Sequence, residues 1–473
     1  MTDPTLVQRL AALATRPPTD LPEAVRASAQ QRVLDILGIC VRAATLDTSA
    51  AAIRFAVAQG GRPDASAIGA ADRLPAPAAA FVNGVLAHSL DYDDTHLPSI
   101  LHPSASVVPA TLAAAQAADA GGAATIAAAA VGIEIAVRLG MAGYDQDAAA
   151  SIYFDRGQHA TSICGAIGSA AAAATVSRLD ADRVAHAMAI AASMASGIIE
   201  ANRTGGTVKR LHCGWAAQAG VTAAGLAAEG ITGPPTVFEG RFGLLQAFLG
   251  DHANPAAVTE GLGEQWEVPS IFFKPYPANH FTHAGIDAAL ALAAGGLRPD
   301  DVEHATLAVA PATVRTIGEP LATKQAPETG YQAQFSGPYT VTAALFGGSG
   351  LGLGLADFTD ALASDPERRA VMARIDVVGS DRCGAIYPHQ FPAELSVTTT
   401  DGAQLQHSVL VNRGGPDNPL TDDELARKFD DNVDGLLDPA TAAEVRRRAL
   451  ALGTEPDVHA LMAAVADTVP GDG

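Results

Sequence analysis

Three carboxylates and three imidazoles crowd into fifteen residues of this chain: His88, Asp91, Asp93, Asp94, His96 and His102. Apolar stretches flank the run on both sides, so it reads as a polar loop between two helices. Helix capping by Ser104 or Thr95 would account for one or two of these side chains. Asp and His also ligate divalent cations, although no fixed-spacing motif such as H-E-x-x-H is present. The third chemistry is proton transfer, with His102 or His96 oriented by a carboxylate.

Further candidates stand elsewhere. His159, in Gly157-Gln158-His159-Ala160-Thr161, opens a run of small residues in which Thr161 could supply the cap. Thr204-Gly205-Gly206-Thr207-Val208-Lys209-Arg210-Leu211-His212 sets a lysine at the start of a helical stretch, where backbone N–H groups favour a carboxylate or phosphate. Lys274 follows Ile271-Phe272-Phe273 and is pinned by Pro275 and Pro277, a context that suits a pocket better than a surface turn. The glycine-rich Gly347–Gly352 fits neither dinucleotide-binding nor P-loop spacing and is expected to be a flexible helix exit. No serine-hydrolase elbow or activated-cysteine pattern occurs.

The elements that must position these groups follow from periodicity. Helices are expected from about Leu21 to Ala43, over Ala79–Leu90, Ala105–Ala118, Ala124–Arg138, His159–Val176, Ala181–Ile199 and Trp215–Glu229. Near residue 267 the texture changes. Strands are expected at Val268–Lys274, Glu303–Val309, Val314–Ile317, Arg374–Val378, Leu395–Thr400 and Gln404–Val411, with a helix at His283–Leu297. Thr421-x-x-Glu424 reads as a capping box opening a helix to Phe429, and two more helices close the chain. The fold class is therefore mainly α with an inserted α+β domain. A large helical domain comprises residues 1–267 and 412–473, and a smaller α+β domain comprises 268–411.

Composition narrows the function. The 473 residues are 48% hydrophobic and 17% charged, with 30 basic against 51 acidic side chains and a net charge of −21. Such a chain has no electrostatic footprint for nucleic acid or an anionic membrane surface, so an anionic ligand needs a local basic pocket. The Ala- and Gly-rich windows Ala105–Val131 and Gly165–Val176 read as buried helices rather than membrane spans. Four scattered cysteines and an N-terminal stretch without a basic, then apolar, leader pattern lead to the expectation of a reducing, cytoplasmic location.

Taken together, the segments resemble the MmgE/PrpD family, which includes 2-methylcitrate dehydratase, cis-aconitate decarboxylase and iminodisuccinate epimerase. The likeness rests on Asp91-Tyr92-Asp93-Asp94-Thr95-His96 with His102-Pro103-Ser104, on the Gly157–Thr161 turn, and on Lys209-Arg210-Leu211-His212. Lys274-Pro275-Tyr276-Pro277 with Phe281-Thr282-His283, and Phe335-Ser336-Gly337-Pro338-Tyr339, complete it in the family's order from about Leu6 to Ala466. The resemblance implies a large helical domain, a smaller α+β lid domain, a homodimer, and catalysis without an obligatory metal or organic cofactor. It also implies a pocket of Asp91, Thr95, His102, His159, Lys209, Lys274 and Tyr339 around a small di- or tricarboxylate. Two departures are visible. Where the decarboxylase branch has a histidine five positions after the pocket lysine, this chain has Asn279 and then His280, and one extra residue precedes His102.

These residues suit reactions that build negative charge on carbon beside a carboxylate. Lys209 and Lys274 would neutralise it, His102 and His159 would move the proton, Asp91 would orient an imidazole, and Tyr339 would protonate a leaving hydroxyl or hold a second carboxylate. The expected activity is a cofactor-independent hydro-lyase of the 2-methylcitrate dehydratase type. The alternatives are an epimerase of an imino- or amino-dicarboxylate, a cis-aconitate decarboxylase-like carboxy-lyase, a ligand-binding protein on an inherited fold, and a metal-dependent hydrolase built on Asp91, Asp93, Asp94 and His96.

Overall fold

A computed structural model of the protein describes residues 3–146, 150–201 and 206–466. The chain forms two compact units, one of residues 1–271 with 432–473 and one of residues 272–431. Residues 412–431, expected from their helical texture in the first, belong by their contacts to the second.

The first unit is helical. Its central members are α1 (Glu23–Ala43), α2 (Ala76–Ala87), α3 (Ser104–Ala117), α4 (Gly122–Met141), α5 (Ala160–Val176) and α6 (Lys209–Ala228). Alanine and glycine dominate α2 to α6, and that composition sets the packing: α6 lies against α2 and α5, and α5 against α4 and α3. Small side chains let backbones meet. A Cβ at Gly168 of α5 would lie 2.3 Å from the Gly132 carbonyl oxygen of α4, and one at Gly132 would lie 2.7 Å from that of Gly168. By length and composition α4 could cross a membrane, but 89% of its most apolar window is buried inside this unit.

The second unit carries α7 (His283–Ala294), β1 (Val302–Val309), α8 (Gly337–Phe346), β2 (Ile375–Gly379), β3 (Ala393–Thr399) and β4 (Gln404–Val409). The sheet order is β2-β1-β3-β4, with β1 and β2 parallel and the other pairs antiparallel. Along β3 the period of two buries Ala393, Leu395 and Val397, which join Leu307 and Val309 of β1, Ile286 of α7 and Val341 of α8 in one core.

Four of the expected strands form, and two segments differ. Val268–Ser270 is a 3₁₀ turn rather than a strand. Its backbone is turned toward a side chain, since Arg32 takes the carbonyls of Val268 and Ile271. Val314–Ile317 lies inside the helix Pro311–Ile317, where proline at the first position presets the helical φ and overrides β-branched propensity. Among the helices, α6 starts at Lys209 instead of Trp215, and the helix expected to Ile199 stops at Met194. The Thr421–Glu424 capping box is present, with the Glu424 amide donating to Thr421 Oγ1 and the Thr421 amide to Glu424 Oε2. Gly347 ends α8 with φ of 82°. Thr204 and Gly205 lie outside the described residues.

Candidate active site

The polar loop begins where α2 ends, at His88, and closes at Ser104, the first residue of α3. A two-residue antiparallel bridge between His96 and Leu101 folds it back on itself. Its charged groups then diverge. Asp91, held at a left-handed φ of 52°, places Oδ1 3.2 Å from Lys209 Nζ at the start of α6. Asp93 Oδ2 lies 2.7 Å from His88 Nδ1. His96 Nδ1 meets Ser99 Oγ at 2.7 Å.

Asp94 does structural work with consequences for chemistry. Its carboxylate accepts the Ser104 amide and hydroxyl, anchoring the N-terminus of α3 where the helix dipole favours an anion. Arg32 of α1, only 1% exposed, reaches it through Nη1 at 2.7 Å, and its Nη2 donates to the carbonyls of Val268 and Ile271. Burial works against both charges. The extra hydrogen bonds on each side are what make the pair tenable.

The backbone carbonyl of the same Asp94 lies 2.6 Å from His102 Nδ1, with Thr95 Oγ1 3.3 Å from that nitrogen and Asp93 Oδ2 4.0 Å away. A carbonyl only accepts, so His102 Nδ1 carries the hydrogen and Nε2 is the nitrogen left for proton transfer. The His102 amide donates to Thr161 Oγ1 at 3.2 Å, tying the loop to α5. His88, fully buried, stands between two other imidazoles, 5.2 Å from the His102 ring centre and 5.8 Å from that of His159.

His159 sits just before α5, its amide donating to the Gly197 carbonyl at 3.0 Å. Its Nδ1 is 2.9 Å from Nδ1 of His212, one helical turn beyond Lys209. Burial, followed by the neighbouring His88, Lys209, His212 and His102, pushes His159 well below the ordinary imidazole range. Burial with His88 and Lys209 lowers His212 to about 4. Both rings are therefore neutral near pH 7, with one hydrogen between the two Nδ1 atoms.

Of the residues expected to form the pocket, Asp91, Thr95, His102, His159 and Lys209 converge in the helical unit. Lys274 and Tyr339 belong to the other unit. Lys274 is 1% exposed, and Tyr339 is buried in the core of α8 with its hydroxyl donating to the Asp357 carbonyl. Asn279 accepts the Phe281 amide to open a 3₁₀ turn, and His280 lies against the rings of Phe272, His283 and Phe391. Among the described residues no three His, Cys, Asp or Glu side chains are grouped to hold a metal ion.

Sequence reasoning did not assign roles to Arg32, His88 and His212, and placed Asp93 only among the ligands of the alternative metal site. His88, Asp93 and His212 stand inside motifs already singled out. Arg32 had a signal too, as a charged residue beside the apolar stripe Val25, Ala29, Val33 and Ile36, all of them buried.

The MmgE/PrpD N-terminal domain matches residues 8–256 and the MmgE/PrpD C-terminal domain matches residues 276–452. The chain belongs to the MmgE/PrpD family. Within it, the chain is 29% identical to cis-aconitate decarboxylase of Homo sapiens, over 86% of this chain and 83% of that protein. It is also 29% identical to the cis-aconitate decarboxylase-like protein oryM of Aspergillus oryzae, over 85% of this chain and 84% of that one. Cis-aconitate decarboxylase of Aspergillus terreus is 32% identical over a shorter stretch, 47% of this chain and 46% of that protein.

Proposed function

We propose that this MmgE/PrpD protein is a carboxy-lyase acting on a small unsaturated polycarboxylate, with cis-aconitate as the first candidate. The relatives are named for decarboxylation, which favours the carboxy-lyase over the hydro-lyase expected from sequence and over an epimerase.

The observation that carries the mechanism is His102, anchored at Nδ1 by the Asp94 carbonyl with the Asp93 carboxylate at 4.0 Å. To act as the proton donor, His102 enters the step protonated at both nitrogens, its Nδ1–H held by the Asp94 carbonyl and its Nε2–H given to the substrate. In a β,γ-unsaturated carboxylate the C–CO₂⁻ bond breaks and its electron pair forms a new C=C bond. The old π pair takes the proton from His102 Nε2 at the far alkene carbon, and CO₂ leaves. Negative charge grows beside a second carboxylate during this step, where the Lys209 ammonium stabilises it. The substrate's own double bond is the electron sink, so the scheme calls on no cofactor. His159 acts as a neutral hydrogen-bonding partner for a substrate carboxylate. The roles of Lys274 and Tyr339, and a homodimer, rest on the family resemblance alone.

The test is EDTA-treated protein in D₂O with cis-aconitate, 2-methylcitrate or iminodisuccinate, followed by proton NMR and CO₂ release. CO₂ with one deuterium in a shifted alkene is expected from cis-aconitate, and His102→Asn should abolish both. A new alkene from 2-methylcitrate without CO₂ would replace the assignment with a hydro-lyase, and a stereoisomer alone with an epimerase.

A further inference from the structure

His159 and His212 meet through like atoms. Their Nδ1 nitrogens are 2.9 Å apart and both rings are neutral, so one Nδ1 donates and the other accepts. In a neutral imidazole the two nitrogens have opposite roles. The direction of this single bond therefore decides whether His159 Nε2 presents a hydrogen or a lone pair.

A carboxylate breaks the symmetry. It only accepts, so a carboxylate at His159 Nε2 requires a hydrogen there, leaves His159 Nδ1 as a lone pair and makes His212 the donor. We infer that His212 is a positioning residue whose Nδ1–H, given to His159 Nδ1, presents His159 Nε2–H as a neutral donor to one carboxylate of the substrate. This rests on the polycarboxylate reading above.

The surroundings suit the role. The His212 carbonyl accepts the Ser162 hydroxyl at 3.2 Å, which ties the start of α6, carrying His212, to the first turn of α5, which His159 immediately precedes. His159 is 6% exposed, too buried for water to supply the missing partner readily. The charged and titratable groups facing the pair are His88, Lys209 and His102. Adding a positive charge there would set His159 in competition with His102 as proton donor, so a neutral, tautomer-locked ring keeps proton delivery with His102.

Two substitutions separate positioning from packing. Asparagine places an amide N–H close to where histidine has Nδ1–H, whereas leucine fills the space without a donor. His212→Asn should keep kcat/KM on cis-aconitate within about threefold of wild type. His212→Leu should lose about tenfold to a hundredfold, as expected for one hydrogen bond to a charged group, mainly in KM. A packing role would reverse that order, and equal activity in all three proteins would overturn the inference.

Binding of tricarballylate, a saturated tricarboxylate that cannot decarboxylate, isolates the inference from the reaction. With ¹⁵N-histidine-labelled wild type, its addition should make His212 Nδ1 a pyrrole-type and His159 Nδ1 a pyridine-type nitrogen, coupled across the hydrogen bond. That pattern without CO₂ release from cis-aconitate would defeat the decarboxylase reading and sustain the positioning role. The opposite pattern, or no tricarboxylate binding at all, would overturn the positioning role.

Discussion

Removing Arg32 tests how the polar loop is held. In Arg32→Met the Asp94 carboxylate, 1% exposed, loses its counter-charge, and breaking a buried pair from one side costs about 3–5 kcal/mol. The carbonyls of Val268 and Ile271, bonded to Arg32 at 3.0 and 2.7 Å, add a further cost of about 1–3 kcal/mol for each one left unsatisfied. Asp94→Asn keeps the shape and can still accept from Ser104, but strands the guanidinium. The double variant removes both charges, so its cost should fall short of the summed singles by roughly 2–3 kcal/mol. Urea unfolding followed by far-UV circular dichroism on the four proteins measures the coupling. Single costs below about 1 kcal/mol, or additivity within about 0.5 kcal/mol, would refute the claim that this pair pins α1, the loop and the segment before Phe272 together. The Asp94 backbone carbonyl also holds His102 Nδ1, so Arg32→Met, which frees this loop from α1, should lower kcat more than it changes KM.

Three other outcomes are expected. Lys209→Ala should cut turnover about 10²- to 10³-fold and also lower the thermal midpoint, because the buried Asp91 carboxylate loses the ammonium 3.2 Å away; wild-type turnover in the folded variant would remove Lys209 from the mechanism. Gly168→Ala puts a Cβ 2.3 Å from the Gly132 carbonyl oxygen and should cost about 1–3 kcal/mol or more in urea, whereas Gly225→Ala, with nothing within 4 Å, should be neutral or slightly stabilising. Folded His212 has its pKa lowered from 6.5 to about 4, so the unfolded chain binds the proton more readily. Its contribution to stability is complete above about pH 6.5 and is lost as pH falls toward 4. The thermal midpoint should drop over that window, and less steeply in His212→Asn; identical slopes would show that the pair does not titrate as described.

Much of this was legible in order along the chain. Apolar periodicity located the helices from α1 to α6, and alternation located β1, β3 and β4. The cluster of acids and imidazoles marked the loop, because so many polar side chains between two apolar helices need a reason to be there. Boundaries were less legible. Val314–Ile317 has strand-like residues, yet Pro311 and the neighbouring strands make it helical. The extended reading of Val268–Lys274 could not foresee Arg32 reaching the same backbone carbonyls from 236 residues away in sequence.

Sequence by itself determined the inventory: which groups can carry charge or protons, that the chain is too acidic to bind an anion without a local basic pocket, and the family to which the motifs point. It could not say which carboxylate serves which base. Asp91, Asp93 and Asp94 are near neighbours in the chain, yet each turns to a different partner: Lys209 from α6, His88 from the end of α2, and Arg32 from α1. Nor could it separate the histidines. His102 is distinguished by a carbonyl at Nδ1, and His159 by a second imidazole at the same position of its ring. Protonation state and tautomer depend on hydrogen-bond partners a few ångströms away in space, and those partners come from helices that only tertiary packing brings together.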